Sequence, residues 1–166
     1  IDKIFLSSLK NKNEFYSWKK TTQSIINFSN EISKYIEKGD RCLLISENRP
    51  EWLISDIAIM NAGGVTVPLF TTYSEKDYEY IIEDCKPKIC IVSNNIQFEK
   101  IRKFISANIK VLSIENIDSN IECLDNIFNY SFKENLSENE IKFNRKIERK
   151  DLAWIIYTSG TTGNPK

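Results

Sequence analysis

The chain of 166 residues is long enough to bury one core, and 41% hydrophobic with 28% charged residues is the make-up of an ordinary globular domain. Lys and Arg number 23 and Asp and Glu 23, so no net charge draws nucleic acid or an anionic membrane to the chain as a whole. Histidine is absent, which excludes Ser-His-Asp and Cys-His catalysis within these residues.

The four cysteines, Cys42, Cys85, Cys90 and Cys123, lack metal-ligand spacing and are expected to be reduced, buried small hydrophobes of an intracellular protein. No signal peptide is visible, and no apolar run approaches the roughly 20 residues that span a bilayer. The chain starts at Ile1 without methionine and stops at Lys166 inside a motif, so both ends are expected to be cut.

Residues 1–20 read as polar and irregular, with Phe15, Tyr16 and Trp18 as an aromatic cluster able to pack on the domain. From Thr21 to Lys38 the apolar positions Ile25, Phe28, Ile32 and Tyr35/Ile36 predict an amphipathic helix, with Gly39 as its C-terminal glycine. A strand is expected over Arg41–Ser46. Asn48-Arg49-Pro50-Glu51-Trp52 then announces a helix, with proline at a first helical position and an acid in the first turn. This string reads as packing and capping. The helix runs to Asn61 or Ala62 with Leu53, Ile57 and Met60 on one side, and Gly63-Gly64 ends it.

Val65–Phe70 reads as a strand whose Pro68 marks its end or an edge, since proline has no N–H for a ladder. Ser74 and Asp77 form a capping-box start to a helix through Tyr78, Ile81, Ile82 and Cys85, which Pro87 bars from continuing. A strand over Lys88–Ser93, a helix over 95–107 and a strand over Val111–Ile114 follow. Ile121, Leu124, Ile127 and Phe128 suggest a short helix, and Asn129 to Lys150 reads as a polar surface excursion with a helical turn after Ser137. Apolar strands alternating with helices predict an α/β domain: a mostly parallel sheet covered by helices on both faces, joined by right-handed crossovers.

The most informative stretch comes last. Leu152-Ala153-Trp154-Ile155-Ile156 reads as a buried strand, and Tyr157-Thr158-Ser159-Gly160-Thr161-Thr162-Gly163-Asn164-Pro165-Lys166 follows it. Glycines let backbone N–H groups turn inward, the hydroxyls of Thr158, Ser159, Thr161 and Thr162 rotate to donate, and Lys166 adds a mobile positive charge. Such a loop suits a polyphosphate. It is no Walker A loop, because the lysine stands three positions after Gly163 and Pro165 in the gap offers no N–H.

This ten-residue string resembles the phosphate loop of the adenylate-forming (AMP-binding) superfamily: acyl-CoA synthetases, luciferases and peptide-synthetase adenylation domains. Gly39-Asp40-Arg41, Asn48–Trp52, Asp56-Ile57-Ala58, Gly63–Leu69 and Thr72-Tyr73-Ser74 are similar, in that order, to the opening of long-chain fatty acid-CoA ligases. The resemblance implies that residues 1–166 are one part of the large N-terminal AMP-binding domain, its first α/β subdomain.

It also implies an ATP-dependent acid-thiol ligase that converts a fatty acid to acyl-AMP and then to acyl-CoA, with ATP, magnesium and coenzyme A. Thr158, Ser159, Gly160, Thr161, Thr162, Gly163 and Lys166 are implied to hold the ATP phosphates, with Thr158 nearest the metal-bound one; no catalytic residue is assigned. The adenine pocket, metal-binding glutamate, acyl tunnel, coenzyme A site and the lysine of the small C-terminal domain are expected beyond Lys166, so these residues alone should be inert. The implied partners are small molecules and not nucleic acid, in a cytoplasmic protein with room for peripheral membrane association. Three other readings compete: adenylation of an aryl, short acyl or amino acid; a P-loop NTPase; and a non-catalytic nucleotide-binding fragment.

Overall fold

The computed structural model describes residues 3–8, 15–117, 120–128 and 147–158. Strands β1 (Ile4–Ser7) and β2 (Phe15–Ser17) pair as an antiparallel ribbon, where the sequence suggested irregular chain. A three-residue strand is too short to display a period of two, and Tyr16 alone betrays it by being fully buried. Helix α1 (Trp18–Ile32) starts at once, with the Ser17 hydroxyl accepting from the Lys20 amide at 3.1 Å. It ends six residues earlier than Lys38, at Ile32. Gly39 does take a left-handed φ of 88°, but in a later turn and not at the helix end.

Strand β3 (Arg41–Ile45) leads to α2 (Pro50–Asn61), β4 (Val65–Leu69), α3 (Glu75–Cys85), β5 (Ile89–Val92) and α4 (Asn95–Ile101). The last runs into a 3-10 turn, Arg102–Phe104, and then β6 (Lys110–Ser113), β7 (Glu122–Cys123) and α5 (Asp125–Phe128). The five strands β4-β3-β5-β6-β7 form one sheet in that order, parallel at every pairing. Strand β7 was not foreseen: two residues carry no periodicity, and pairing with β6 alone makes them a strand. The expected helix of 95–107 is α4 plus its 3-10 turn, and that of 121–128 shrinks to α5. The turn expected after Ser137 lies outside the described residues.

Side chains of β3 alternate between two cores. Cys42 and Leu44 join Phe28, Ile32, Ile54, Ala58 and Ile59 on the face covered by α1 and α2. Leu43 and Ile45 join Tyr78, Ile81, Phe98 and Ile101 on the face covered by α3 and α4. Both faces are dry, which is why the strands read as unbroken apolar runs. Each such Leu or Ile contributes about 1.5–3 kcal/mol by leaving water.

On α2 the inward face is Ile54, Ala58 and Ile59, while Leu53, Ile57 and Met60 are only half-buried. The helix is apolar almost all round, so periodicity does not choose its inner side; packing against α1 and β4 does. Its first turn is also held differently from the expectation. Arg49 is the N-cap residue but makes no side-chain cap bond. Instead the Tyr16 hydroxyl donates to Glu51 Oε1 at 2.8 Å, and Arg49 Nε donates to Glu51 Oε2 at 2.8 Å. Burial opposes ionisation of Glu51, and these two donors outweigh it, holding the carboxyl below its usual range.

The capping box of α3 is present with both Ser74–Asp77 bonds, and Lys86 closes the helix in the left-handed region at φ 46° just before Pro87. Cys42, Cys85 and Cys90 are buried, and burial pushes Cys42 and Cys85 up to about 12. Cys123 departs from the expectation in being half-buried. No helix among the described residues is long and apolar enough to cross a membrane.

Gly64 shows how tightly β4 is docked. A Cβ there would meet Ile36 Cδ1 at 2.9 Å, Ile59 Cγ2 at 3.0 Å and Cys42 Sγ at 3.2 Å. Gly64→Ala is therefore expected to destabilise the fold by about 1–3 kcal/mol, the usual cost of overpacking a core. Urea denaturation checks it, and an unchanged midpoint would mean that this contact is loose.

Candidate functional site

The strand order matches that of a doubly wound sheet in which the first strand lies second from the edge. Chain winding reverses beside β3, and in such sheets ligands sit at the carboxyl ends of the strands where it does. Here that crevice, between the ends of β3 and β5, is filled by Glu47. Its carboxylate accepts from Ser93 Oγ at 2.6 Å, Gln97 Nε2 at 2.8 Å and Asn94 Nδ2 at 3.4 Å. Burial works against the charge, but these hydrogen bonds outweigh it and hold Glu47 down at about 2.

The open space lies one strand over. A cleft of about 500 Å³ is bordered by Glu47 and Asn48 after β3, Trp52 on α2, Phe70 and Thr71 after β4, and Ile156. Its wall after β4 is braced from α4: Lys100 Nζ donates to the Thr71 carbonyl at 2.6 Å and to Gln97 Oε1 at 3.0 Å. Glu47, Gln97, Lys100 and Thr71 thus form one chain of hydrogen bonds from β3 to the cleft wall. The Phe70 carbonyl accepts from the Tyr78 hydroxyl at 2.8 Å, and the Phe70 ring is 65% exposed beside the cleft.

The segment that carries Ile156 also carries Thr158, where the hydroxyl- and glycine-rich string of the sequence begins. Trp154 bridges Thr66 in parallel along the free side of β4, with the Thr66 amide donating to the Ala153 carbonyl at 2.9 Å and the Ile155 amide to the Thr66 carbonyl at 3.0 Å. A buried strand was expected here. The structure gives a single bridge, with Leu152 at 59%, Trp154 at 42% and Ile156 at 53% exposure. Ile155 and Tyr157 point inward instead, because the segment has the sheet on one side only. Trp154 Nε1 donates to Asp56 Oδ1 at 2.8 Å, and burial raises Asp56 above the usual carboxylate range although the indole and the neighbouring Thr66 hydroxyl oppose the rise.

Thr158 is the one predicted loop residue that the structure describes. It is exposed, directly after the buried Tyr157, and follows Ile156 of the cleft border. Ser159, Gly160, Thr161, Thr162, Gly163 and Lys166 lie outside the described residues. Of the string read from sequence as packing, Arg49 and Glu51 brace the helix start, Trp52 packs on the core and also borders the cleft, and Asn48 borders the cleft. Glu47, Lys100 and Thr71 were missed; the available signal was a carboxylate placed immediately after an apolar strand. Among the described residues no group of three or more Asp, Glu, His or Cys gathers as a metal site.

The AMP-binding enzyme family model matches residues 2–166. The chain belongs to the AMP-binding enzyme family. Among its relatives, fatty acyl-CoA synthetase A of Dictyostelium discoideum is 30% identical over 166 residues, covering 91% of this chain and 24% of that protein. A mycosubtilin synthase polypeptide of Bacillus subtilis is 29% identical over 92% of this chain and 5% of its own length. ATP-bound MatB from Rhodopseudomonas palustris shares the fold, with a TM-score of 0.77 and 24% identity over 99% of this chain and 31% of that one. The chain thus spans about a quarter of the Dictyostelium relative. For this AMP-binding chain the expected α/β fold, with helices on both faces of a parallel sheet, is what the structure has.

The Glu47 clamp makes a pH-dependent prediction. A carboxyl held at about 2 when folded, against an ordinary 4.5, stabilises the fold above pH 4.5 and loses that contribution as pH falls towards 2. Glu47→Gln is expected to cost roughly 1–2 kcal/mol at neutral pH, discounted for partial exposure, and to flatten the stability profile between those limits. Denaturation curves from pH 7 to pH 2.5 decide it; parallel profiles for parent and variant would remove the clamp.

Proposed function

We propose that the full-length protein activates a long-chain fatty acid with ATP and passes the acyl group to coenzyme A. A carboxylate oxygen attacks the α-phosphorus, the bond to the β-phosphate oxygen breaks, and pyrophosphate leaves with its electron pair. The coenzyme A thiol then loses its proton, attacks the acyl carbonyl and displaces AMP. Such transfers depend on in-line placement and charge neutralisation more than on a side-chain base, which suits a segment without histidine.

The observation that carries this reading is the exit of Thr158 from the carboxyl edge of a parallel sheet, beside a cleft, in a chain of the AMP-binding family. In this reading the Thr158, Ser159, Thr161 and Thr162 hydroxyls, the Gly160 and Gly163 amides and Lys166 hold the β- and γ-phosphates as pyrophosphate departs. Magnesium would neutralise charge on those phosphates, with the Thr158 hydroxyl beside it and a carboxylate from beyond Lys166 to hold it. The 30% identity to a fatty acyl-CoA synthetase favours the fatty acid as substrate. The 29% identity to the mycosubtilin synthase polypeptide over 92% of the chain favours a second reading, activation of another acid such as an amino acid. The fatty-acid reading places the protein in the cytoplasm, with peripheral contact at the membranes that hold its substrate.

ATP–pyrophosphate exchange by the full-length protein, over fatty acids of rising length with amino and aryl acids beside them, tests the proposal. Exchange dependent on long-chain fatty acid is the expected outcome. Removing one fixed donor at such a site typically costs about 100- to 1000-fold in rate, and Thr161→Ala or Lys166→Ala is expected to lose less because the loop has redundant donors. Exchange with another acid would overturn the substrate, and an unchanged rate in both variants the phosphate role.

A further inference from the structure

The segment entering the phosphate loop has little backbone to hold it. Both of its hydrogen bonds to β4 run through Thr66. Peptide groups alternate sides along a strand, so Pro68, two residues on, presents its peptide to the same outer side as Thr66 and has no N–H to offer there. The ladder cannot gain a donor at that rung, although the chain continues along the sheet to Tyr157.

Side chains take over where the ladder stops. Upstream, Trp154 is tied to Asp56 of α2 on one face of the sheet. Downstream, Tyr157 is 6% exposed and sits in the core of the opposite face. Its carbonyl accepts from the Tyr73 hydroxyl at 2.9 Å, and its own hydroxyl donates to the Asp84 carboxylate of α3. The Tyr80 ring stands edge-on to it, with centroids 6.5 Å apart. Tyr73 is in turn set against Tyr78 and against Phe70, which borders the cleft. The residue before the loop is therefore gripped at its main chain and at its side-chain tip, from two positions on one helix and the turn before it.

We propose that Tyr73 and Asp84, acting through Tyr157, are positioning residues for the phosphate loop, setting where and in which direction the chain leaves the sheet at Thr158. This rests on the reading that residues 158–166 hold the ATP phosphates. Donors in such a site must be held within about 0.5 Å of their working places, and a misplacement of about 1 Å costs on the order of 100-fold. The two hydroxyls contribute direction more than adhesion, since the rings alone fill the core.

The test uses the full-length protein. Tyr73→Phe and Tyr157→Phe keep the rings and remove one hydroxyl each. The KM for ATP in pyrophosphate exchange is expected to rise roughly tenfold in each, while the KM for the acid stays within about twofold and the melting temperature holds. Asp84→Ala should behave as Tyr157→Phe does, and Asp84→Asn, whose amide oxygen still accepts the tyrosine proton, should recover most of the loss. A KM for ATP equal to the parent's in both tyrosine variants overturns the inference. So does a parallel rise in both KM values with a lowered melting temperature, which marks general loosening. The Thr161→Ala/Lys166→Ala double variant runs beside them: if its KM for ATP is unchanged, the phosphate reading itself fails and the positioning role with it.

Discussion

Strand β3 is hydrogen-bonded on both sides, to β4 and to β5, and covered on both faces, so Cys42, Leu43, Leu44 and Ile45 are wholly out of water. That constraint orders the rest of the molecule. A strand buried in four directions must be apolar along its enclosed length, and each crossover must carry a helix over one of its faces. The chain must also reverse its winding beside β3 to place β4 on one side and β5 on the other. Because the strands run parallel, the loop that leaves each of them lies at the same carboxyl edge, where Glu47 meets Ser93 on one side and, with Asn48, Phe70 and Thr71, borders the cleft on the other.

Acidic side chains serve that framework in three places, each differently. Glu47 closes the crevice between β3 and β5 as an anion fed by neutral donors. Glu51 holds the entry of α2 through Arg49 and Tyr16, and Arg49 Nη1 also donates to Glu115 Oε1 after β6 at 2.6 Å. Asp56 faces the outer edge of β4 and takes the Trp154 indole. None of the three is free for acid-base chemistry, since each is occupied by the framework. These three carboxylates shape the carboxyl edge of the sheet and leave the cleft wall mostly apolar.

Much of this was legible in the order of residues. Alternation of apolar strands with helices, the Ser74–Asp77 cap, proline at the start of α2 and glycine after it all act within a few residues, where local geometry and hydrogen bonding decide the outcome. The ten-residue loop string likewise carried the family, because its glycines, hydroxyls and lysine stand together at a fixed spacing that is read without any tertiary contact. The inward side of α2, the existence of β7 and the brevity of the 152–156 pairing escaped, since each depends on what lies across from it.

By itself the sequence determined a parallel α/β domain and, through the glycine- and hydroxyl-rich string after its last apolar run, the family to which the chain belongs, because periodicity and residue spacing are local properties. Only the tertiary structure decided that Glu47 fills the crevice to which the strand order points, that the open cleft lies between β3 and β4, and that Tyr157 is gripped by Tyr73 and Asp84. Those residues are separated by as much as 84 positions along the chain, and a hydrogen bond between them exists only once the sheet has brought their elements to one edge.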